Sequence, residues 1–107
     1  MKKYRFFLLC CSVSLFLNNA CKKDSTTTTD SLYVPTTADV TANATLEELQ
    51  QGRTLYTNNC GACHGLYSPD SYSVSTWKTY LSRMVPNTNL TQAQATLVTK
   101  YVCKGKQ

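Results

Sequence analysis

Read for its apolar positions, the chain falls into three stretches. Phe6 to Leu17 is a nearly continuous run of apolar or small residues behind a basic head, Met1-Lys2-Lys3-Tyr4-Arg5. From Lys22 to Ala44 the apolar residues are scattered without a period among Thr26, Thr27, Thr28, Thr29, Thr36, Thr37 and Thr41. From Thr45 onward they recur three or four residues apart, the spacing that aligns side chains along one face of a helix.

That last stretch predicts three helices. Thr45-Leu46-Glu47-Glu48 has the form of a capping box, and Leu49, Gly52 and Tyr56 continue one face until Asn58-Asn59, just before Cys60. A second helix begins near Ser73 or Ser75, carries Trp77, Leu81 and Met84 on one stripe, and stops ahead of Pro86. The third opens with Thr91-Gln92-Ala93-Gln94, another capping box, with Leu90 placed as a staple. Its apolar face is Leu97, Val98, Tyr101 and Val102, and Lys104-Gly105-Lys106 makes a stop whose cations suit the negative end of the helix dipole. No segment alternates as a strand would, so the expected fold class is all-α.

The first stretch has the charged head and apolar centre of a secretory signal. Its apolar run would rise only ~18 Å as helix, short of a ~30 Å hydrocarbon core; an uncleaved short anchor is the alternative. Asn18-Asn19-Ala20-Cys21 then puts a small residue directly before a cysteine. The segment resembles a bacterial lipoprotein signal peptide, with Cys21-Lys22-Lys23-Asp24 resembling the start of a mature Bacteroidetes-type lipoprotein. Asn18 stands where that pattern usually has Leu, and Leu17 sits one place earlier. The resemblance implies cleavage after residue 20 and lipidation of Cys21, and two acyl chains would hold the protein stably on a membrane. The organisation expected is therefore a signal peptide over 1–20, a lipidated Thr-rich tether over 21–44 and a folded domain over 45–107. The tether composition buries too little to offset chain entropy; the alternative is that Leu32-Tyr33-Val34-Pro35 packs on the domain as an extended arm.

Charge and cysteine content change meaning once that organisation is applied. The 107 residues carry 11 Lys+Arg against 6 Asp+Glu, +5 in total, with six cysteines and one histidine. Removing Lys2, Lys3 and Arg5 leaves eight cations against six anions, or +2, and with it goes the case for nucleic acid as a partner. Cys10 and Cys11 leave with the signal, so the six cysteines are not a disulfide set. A single histidine and few carboxylates leave little material for acid/base catalysis, and an enzyme is not expected. A domain of about 60 residues is near the lower limit for a self-sufficient core and usually needs a staple.

Cys60-Gly61-Ala62-Cys63-His64 supplies the candidate staple. C-x-x-C-H is the attachment pattern of c-type haem. Two thiols at this spacing can reach the two vinyl groups of one haem, and the next residue can offer an imidazole nitrogen to the iron. A zinc site would want four ligands in paired clusters, and only Cys60, Cys63, His64 and Cys103 are at hand. A redox-active C-x-x-C belongs with a βαβ pattern, which is missing. One covalent haem c is the expected cofactor, with Cys60 and Cys63 as thioethers and His64 as the proximal iron ligand.

Residues 45–107 thereby resemble a small class I-like cytochrome c domain, three to four helices around covalently attached haem. Gly52-x-x-x-Tyr56-x-x-x-Cys60 resembles the family's N-terminal helix and Leu97-x-x-x-Tyr101 its C-terminal helix. In the family the two cross closely, with a glycine on one facing an aromatic on the other. A glycine without Cβ permits that approach. The resemblance also implies Met84, the only methionine left after signal removal, as the distal iron ligand. The alternative for Met84 is a core gap-filler at helical spacing with Trp77 and Leu81, leaving the iron open, Lys-ligated or otherwise ligated. Trp77 and Tyr72 are candidates to line the haem, Arg83 to pair with a propionate, and Pro69 to offer its carbonyl to His64. Asn87 and Asn89 are candidates to donate to the Met84 ligand or only to shape a turn. Cys103 reads as a buried thiol or, alternatively, an intermolecular bridge.

The function expected is one-electron transfer by a membrane-tethered monohaem cytochrome with His/Met-ligated iron, exported and facing the periplasm, with the outer membrane the expected site. Its expected partners are redox proteins: a dehydrogenase, a quinol-oxidising complex or a terminal oxidase. The alternative is a haem-based sensor or ligand-binding module with an open or displaceable distal site; a haem-free lipoprotein used only for binding is a third.

Overall fold

The structure, a computed structural model, describes residues 32–106; the signal sequence and Cys21 lie outside the described residues. Among the described residues the fold is all-α. Three α-helices, α1 (Leu46–Cys60), α2 (Val74–Met84) and α3 (Gln92–Val102), are joined through short 3-10 turns at Pro69–Ser71 and Val85–Asn87. None of them is long and apolar enough to cross a membrane.

Each helix starts at the hydroxyl the sequence marks. The Thr45 side chain accepts from the Glu48 N–H while the Thr45 N–H donates to Glu48 Oε2, and Thr91 and Gln94 repeat the exchange at α3. Each reciprocal pair satisfies two amides that the helix start would leave without partners. Ser73 caps α2 by accepting from Thr76 N–H. The ends are equally local. Pro86 has no N–H for the α ladder, so α2 gives way to a 3-10 turn. After α3 the chain turns left-handed at Lys104 and Gly105 (φ +50° and +67°), and Gly105 N–H closes back on Lys100 C=O at 2.8 Å. This is the long bond of a Schellman stop. Gly105 is doubly constrained, because a Cβ there would also come within 2.7 Å of Thr41 Oγ1. One boundary differs from expectation: α1 runs through Asn58-Asn59 and includes Cys60, so the first motif cysteine sits on the last helical turn.

The helices cross at a glycine. Gly52 on α1 lies against Leu97 and Tyr101 on α3, and a Cβ built on it would be 2.1 Å from Leu97 O and 2.8 Å from Tyr101 Cβ. Around this crossing the core is Leu49, Tyr56, Trp77, Leu81, Val98, Tyr101 and Val102, all nearly inaccessible. Burial of side chains this large stabilises by roughly 1.5–3 kcal/mol each. Lys100 Nζ and Glu48 Oε1, 2.5 Å apart, join the same two helices at their half-exposed edge.

The segment expected to be tether needs correction. From Leu32 to Ala44 it packs on the helices, as the extended-arm alternative has it at Leu32–Pro35. Leu32, Pro35 and Ala44 are buried. Tyr33 C=O accepts from Tyr101 Oη (2.8 Å) and Arg53 Nε (3.3 Å). The Tyr33 ring stacks on Tyr101 at 5.8 Å, and Lys104 Nζ sits 4.5 Å from its centroid. Thr41 Oγ1 donates to Gly105 O and closes the segment over the end of α3. A few well-placed contacts outweigh the polar composition that suggested disorder.

Gly52→Ala is expected to destabilise the fold by about 2–3 kcal/mol, because a backbone carbonyl occupies the space its methyl needs. Urea unfolding of the two proteins checks this; equal midpoints would mean the helices do not cross at this residue.

Candidate haem site

Four spaced positions of α1 build the approach to the motif. Leu49, Gly52, Tyr56 and Cys60 fall three or four residues apart, so one face runs from the helix crossing through the aromatic core to the first cysteine. Beyond it the chain leaves the helix with Gly61, and Ala62, Cys63 and His64 form an exposed turn. Leu66 then returns to the core.

Two adjoining cavities open around this turn. The first, about 300 Å³, is walled by Tyr56, Tyr67, Tyr72, Trp77 and Leu81, with Cys60, His64, Tyr80, Arg83 and Met84 completing it. The second, about 500 Å³, is lined by Cys60, Cys63, His64 and Met84 together with neutral polar residues. Cys60, His64 and Met84 are common to both. Both volumes lie in the range of cofactor sites, mostly apolar with a few convergent polar groups. The structure thus brings together Cys60, Cys63, His64 and Met84, along with Trp77, Tyr72 and Arg83.

The groups around the cavity are tightly held. Tyr56 Oη donates to Tyr67 C=O (2.8 Å) and accepts from Tyr67 N–H (3.0 Å), tying the segment after the motif back to α1. Burial pushes the Tyr56 phenol up to about 12. Trp77 Nε1–H donates to Pro69 C=O at 2.9 Å in the interior. Tyr72 stands edge-on to both Trp77 and Tyr80, with centroids 5.2 and 5.1 Å away. His64 Nδ1 lies 2.6 Å from Gly65 C=O. A carbonyl can only accept, so this contact suits the Nδ1–H tautomer, which in a neutral imidazole leaves the Nε2 lone pair for a ligand bond.

One expectation about neighbours is overturned here. Pro69 C=O is taken by Trp77, and the carbonyl beside His64 is that of Gly65. Asn87 Nδ2 donates to Arg83 C=O at 3.0 Å and so shapes the turn after α2, the second of its two expected roles. Cys103 is buried and free as a thiol, raised by burial, and its sulfur is closed off from another chain in this fold. Sequence reasoning passed over Tyr67, Tyr80 and Gly65. The wealth of tyrosine around the motif was the available signal for the first two; none marks a backbone carbonyl.

Two thiols and an imidazole are the donor types that a covalent haem would take. Cys60 and Cys63 are both free thiols. Burial first, then the neighbouring Cys63, pushes the Cys60 thiol up, whereas a redox-active C-x-x-C needs a depressed one. Among the described residues no three His, Cys, Asp or Glu side chains converge to hold a bare metal ion. Cys60, His64 and Met84 line both cavities and Cys63 the larger one, so the donors stand beside mostly apolar space. No protein-family model, curated protein or solved structure matches the chain.

The buried tyrosines give an alkaline signature. Tyr56 and Tyr101 are both raised by burial, from an ordinary 10.0 to about 12. The unfolded chain therefore loses these protons first, and stability falls as pH rises from about 10 towards 12. Tyr56→Phe should flatten that decline while costing about 1–3 kcal/mol at neutral pH, since both Tyr67 backbone groups lose their partner. Unfolding curves at a series of pH values read both effects; an unchanged slope would mean Tyr56 is not buried as described.

Proposed function

We propose that the chain is a membrane-tethered monohaem c-type cytochrome that carries single electrons between redox proteins. The observation that carries this reading is the meeting of His64, Met84 and Cys60 on the same two cavities, with Cys63 on the larger. These include the sole histidine and, after signal removal, the sole methionine. The glycine-to-aromatic crossing of α1 and α3 further supports a cytochrome c-like fold.

When bound, haem c supplies an iron that alternates between ferric and ferrous. The chain's own residues do the rest. Cys60 and Cys63 would hold the macrocycle through thioethers, and the free Nε2 of His64 would ligate the iron. The Gly65 carbonyl fixes the imidazole tautomer and makes it a better donor. Met84 would add a soft, neutral thioether, a combination that raises potential. Tyr56, Tyr67, Tyr72 and Trp77 would give the group an aromatic wall in the first cavity, and Tyr56, bonded to both backbone groups of Tyr67, ties the segment after the motif to α1. Among the described residues Arg83 is the one fixed charge lining that cavity, and it would be the cation available to a propionate. Lipidation of Cys21 would hold the protein on the periplasmic side of a membrane, consistent with partners such as a dehydrogenase, a quinol-oxidising complex or a terminal oxidase.

Reduced full-length protein should show a six-coordinate haem spectrum that carbon monoxide leaves unchanged. Met84→Ala should bind carbon monoxide readily. If wild type and variant bind it alike, Met84 is not the ligand and the sensor with an open distal site becomes the better reading.

A further inference from the structure

His64 stands in the turn beyond α1 and is itself exposed. The torsion that sets the plane of a histidine ring is broad, so the residue alone does not choose how Nε2 is presented. The Gly65 carbonyl, 2.6 Å from Nδ1, belongs to the next residue of the same turn. It suits one tautomer, yet it travels with the turn and does not fasten the ring to the helices.

Tyr67 makes that connection. Its ring stands 5.8 Å from the imidazole between centroids, tilted by 43°, a separation and angle at which aromatic rings attract. One phenol on α1 holds its backbone: Tyr56 Oη accepts from the Tyr67 N–H (3.0 Å) and donates to the Tyr67 C=O (2.8 Å). Tyr56 is itself buried against Tyr101 and Trp77. The Tyr67 ring also meets Tyr72 at 5.5 Å, and Tyr72 stands edge-on to Trp77 on α2. Trp77 is buried and fixed in turn by Pro69 C=O. Tyr67 is therefore gripped from α1 through its backbone and from α2 through its ring, and it passes that rigidity to an exposed imidazole.

We propose that Tyr67 is a positioning residue for His64, its ring holding the imidazole in one plane as Nε2 is offered to the iron. The inference rests on the haem reading above and extends it to the orientation of the proximal ligand. Groups that touch a metal's ligands orient those ligands and tune the metal. The imidazole plane decides which iron orbitals overlap with the ring's π system, so one plane gives one electronic state. A plane kept through oxidation and reduction adds no ring rotation to the electron's passage. The role belongs to the Tyr67 ring and backbone, not to its hydroxyl, and no bond forms or breaks there.

Electron paramagnetic resonance of the full-length ferric haem protein tests this, because its g values report the ligand plane. Wild type should give one narrow set. Tyr67→Phe keeps the ring and should match it. Tyr67→Leu removes the ring and should broaden the set or add a second, with a shifted midpoint potential in the same samples. Tyr56→Phe keeps the ring but frees the Tyr67 backbone, and should broaden the set as well. A Tyr67→Leu spectrum as narrow as wild type overturns the inference. So does a Tyr67→Phe spectrum changed as much as that of Tyr67→Leu, which would place the effect in the hydroxyl. Should Tyr67→Leu fail to fold, Tyr56→Phe decides, and a spectrum identical to wild type then overturns the inference. Wild-type protein lacking covalent haem overturns the proposed function as well, whereas haem-loaded variants with unchanged spectra overturn only the role of Tyr67.

Discussion

The rest of the molecule hangs on the contact between Gly52 and the backbone of α3. With a carbonyl only 2.1 Å from where a Cβ would stand, glycine alone allows α1 and α3 to approach so closely. That approach sets Tyr56, one turn on, beside Tyr101 at 5.7 Å between centroids, and Trp77 edge-on to Tyr56 at 6.1 Å. One further turn brings Cys60 to the cavity. A single steric constraint in the core is thus passed along one helical face to the chemistry at its end. Because a packed interior cannot deform smoothly, a change at Gly52 would be felt at the motif.

The polar devices around the site act on the backbone more than on one another. Tyr56 grips Tyr67, Trp77 grips Pro69 and His64 meets Gly65, each through a main-chain carbonyl. The short stretch between α1 and α2 has little regular structure of its own, and these three side chains supply the partners that regular structure would otherwise provide. The Leu32–Ala44 arm is held in the same manner, by Tyr101 and Arg53 on the Tyr33 carbonyl. Its docking takes Leu32–Ala44 out of the tether expected over 21–44 and makes it part of the folded domain.

Much of this was legible in the chain. The three helix starts follow from Thr45, Ser73 and Thr91, because a capping hydroxyl acts within one turn. The Gly52–Tyr101 pairing follows from helical spacing joined to a family resemblance. The C-x-x-C-H run and Met84 were singled out from the chain, and the fold gathers them on two adjoining cavities. What escaped were contacts between residues distant in sequence. Composition marks Leu32–Pro35 as part of a polar tether, and nothing local reveals that Tyr101 and Arg53 converge on its backbone. The carbonyl beside His64 is that of Gly65 and not the expected Pro69, because a carbonyl's partner is decided by the fold around it. The inclusion of Cys60 in α1 shows the usual slack in reading helix ends from pattern.

The central claim is that Cys60 and Cys63 carry haem. It is tested most directly by mass spectrometry of the proteolytic peptide spanning both residues, from full-length protein exported in a host that attaches haem c. The expected result is a peptide heavier by one haem, with the haem retained through denaturation and lost when either cysteine is replaced by alanine. A peptide of unmodified mass, with both thiols free to react with an alkylating reagent, would contradict the account.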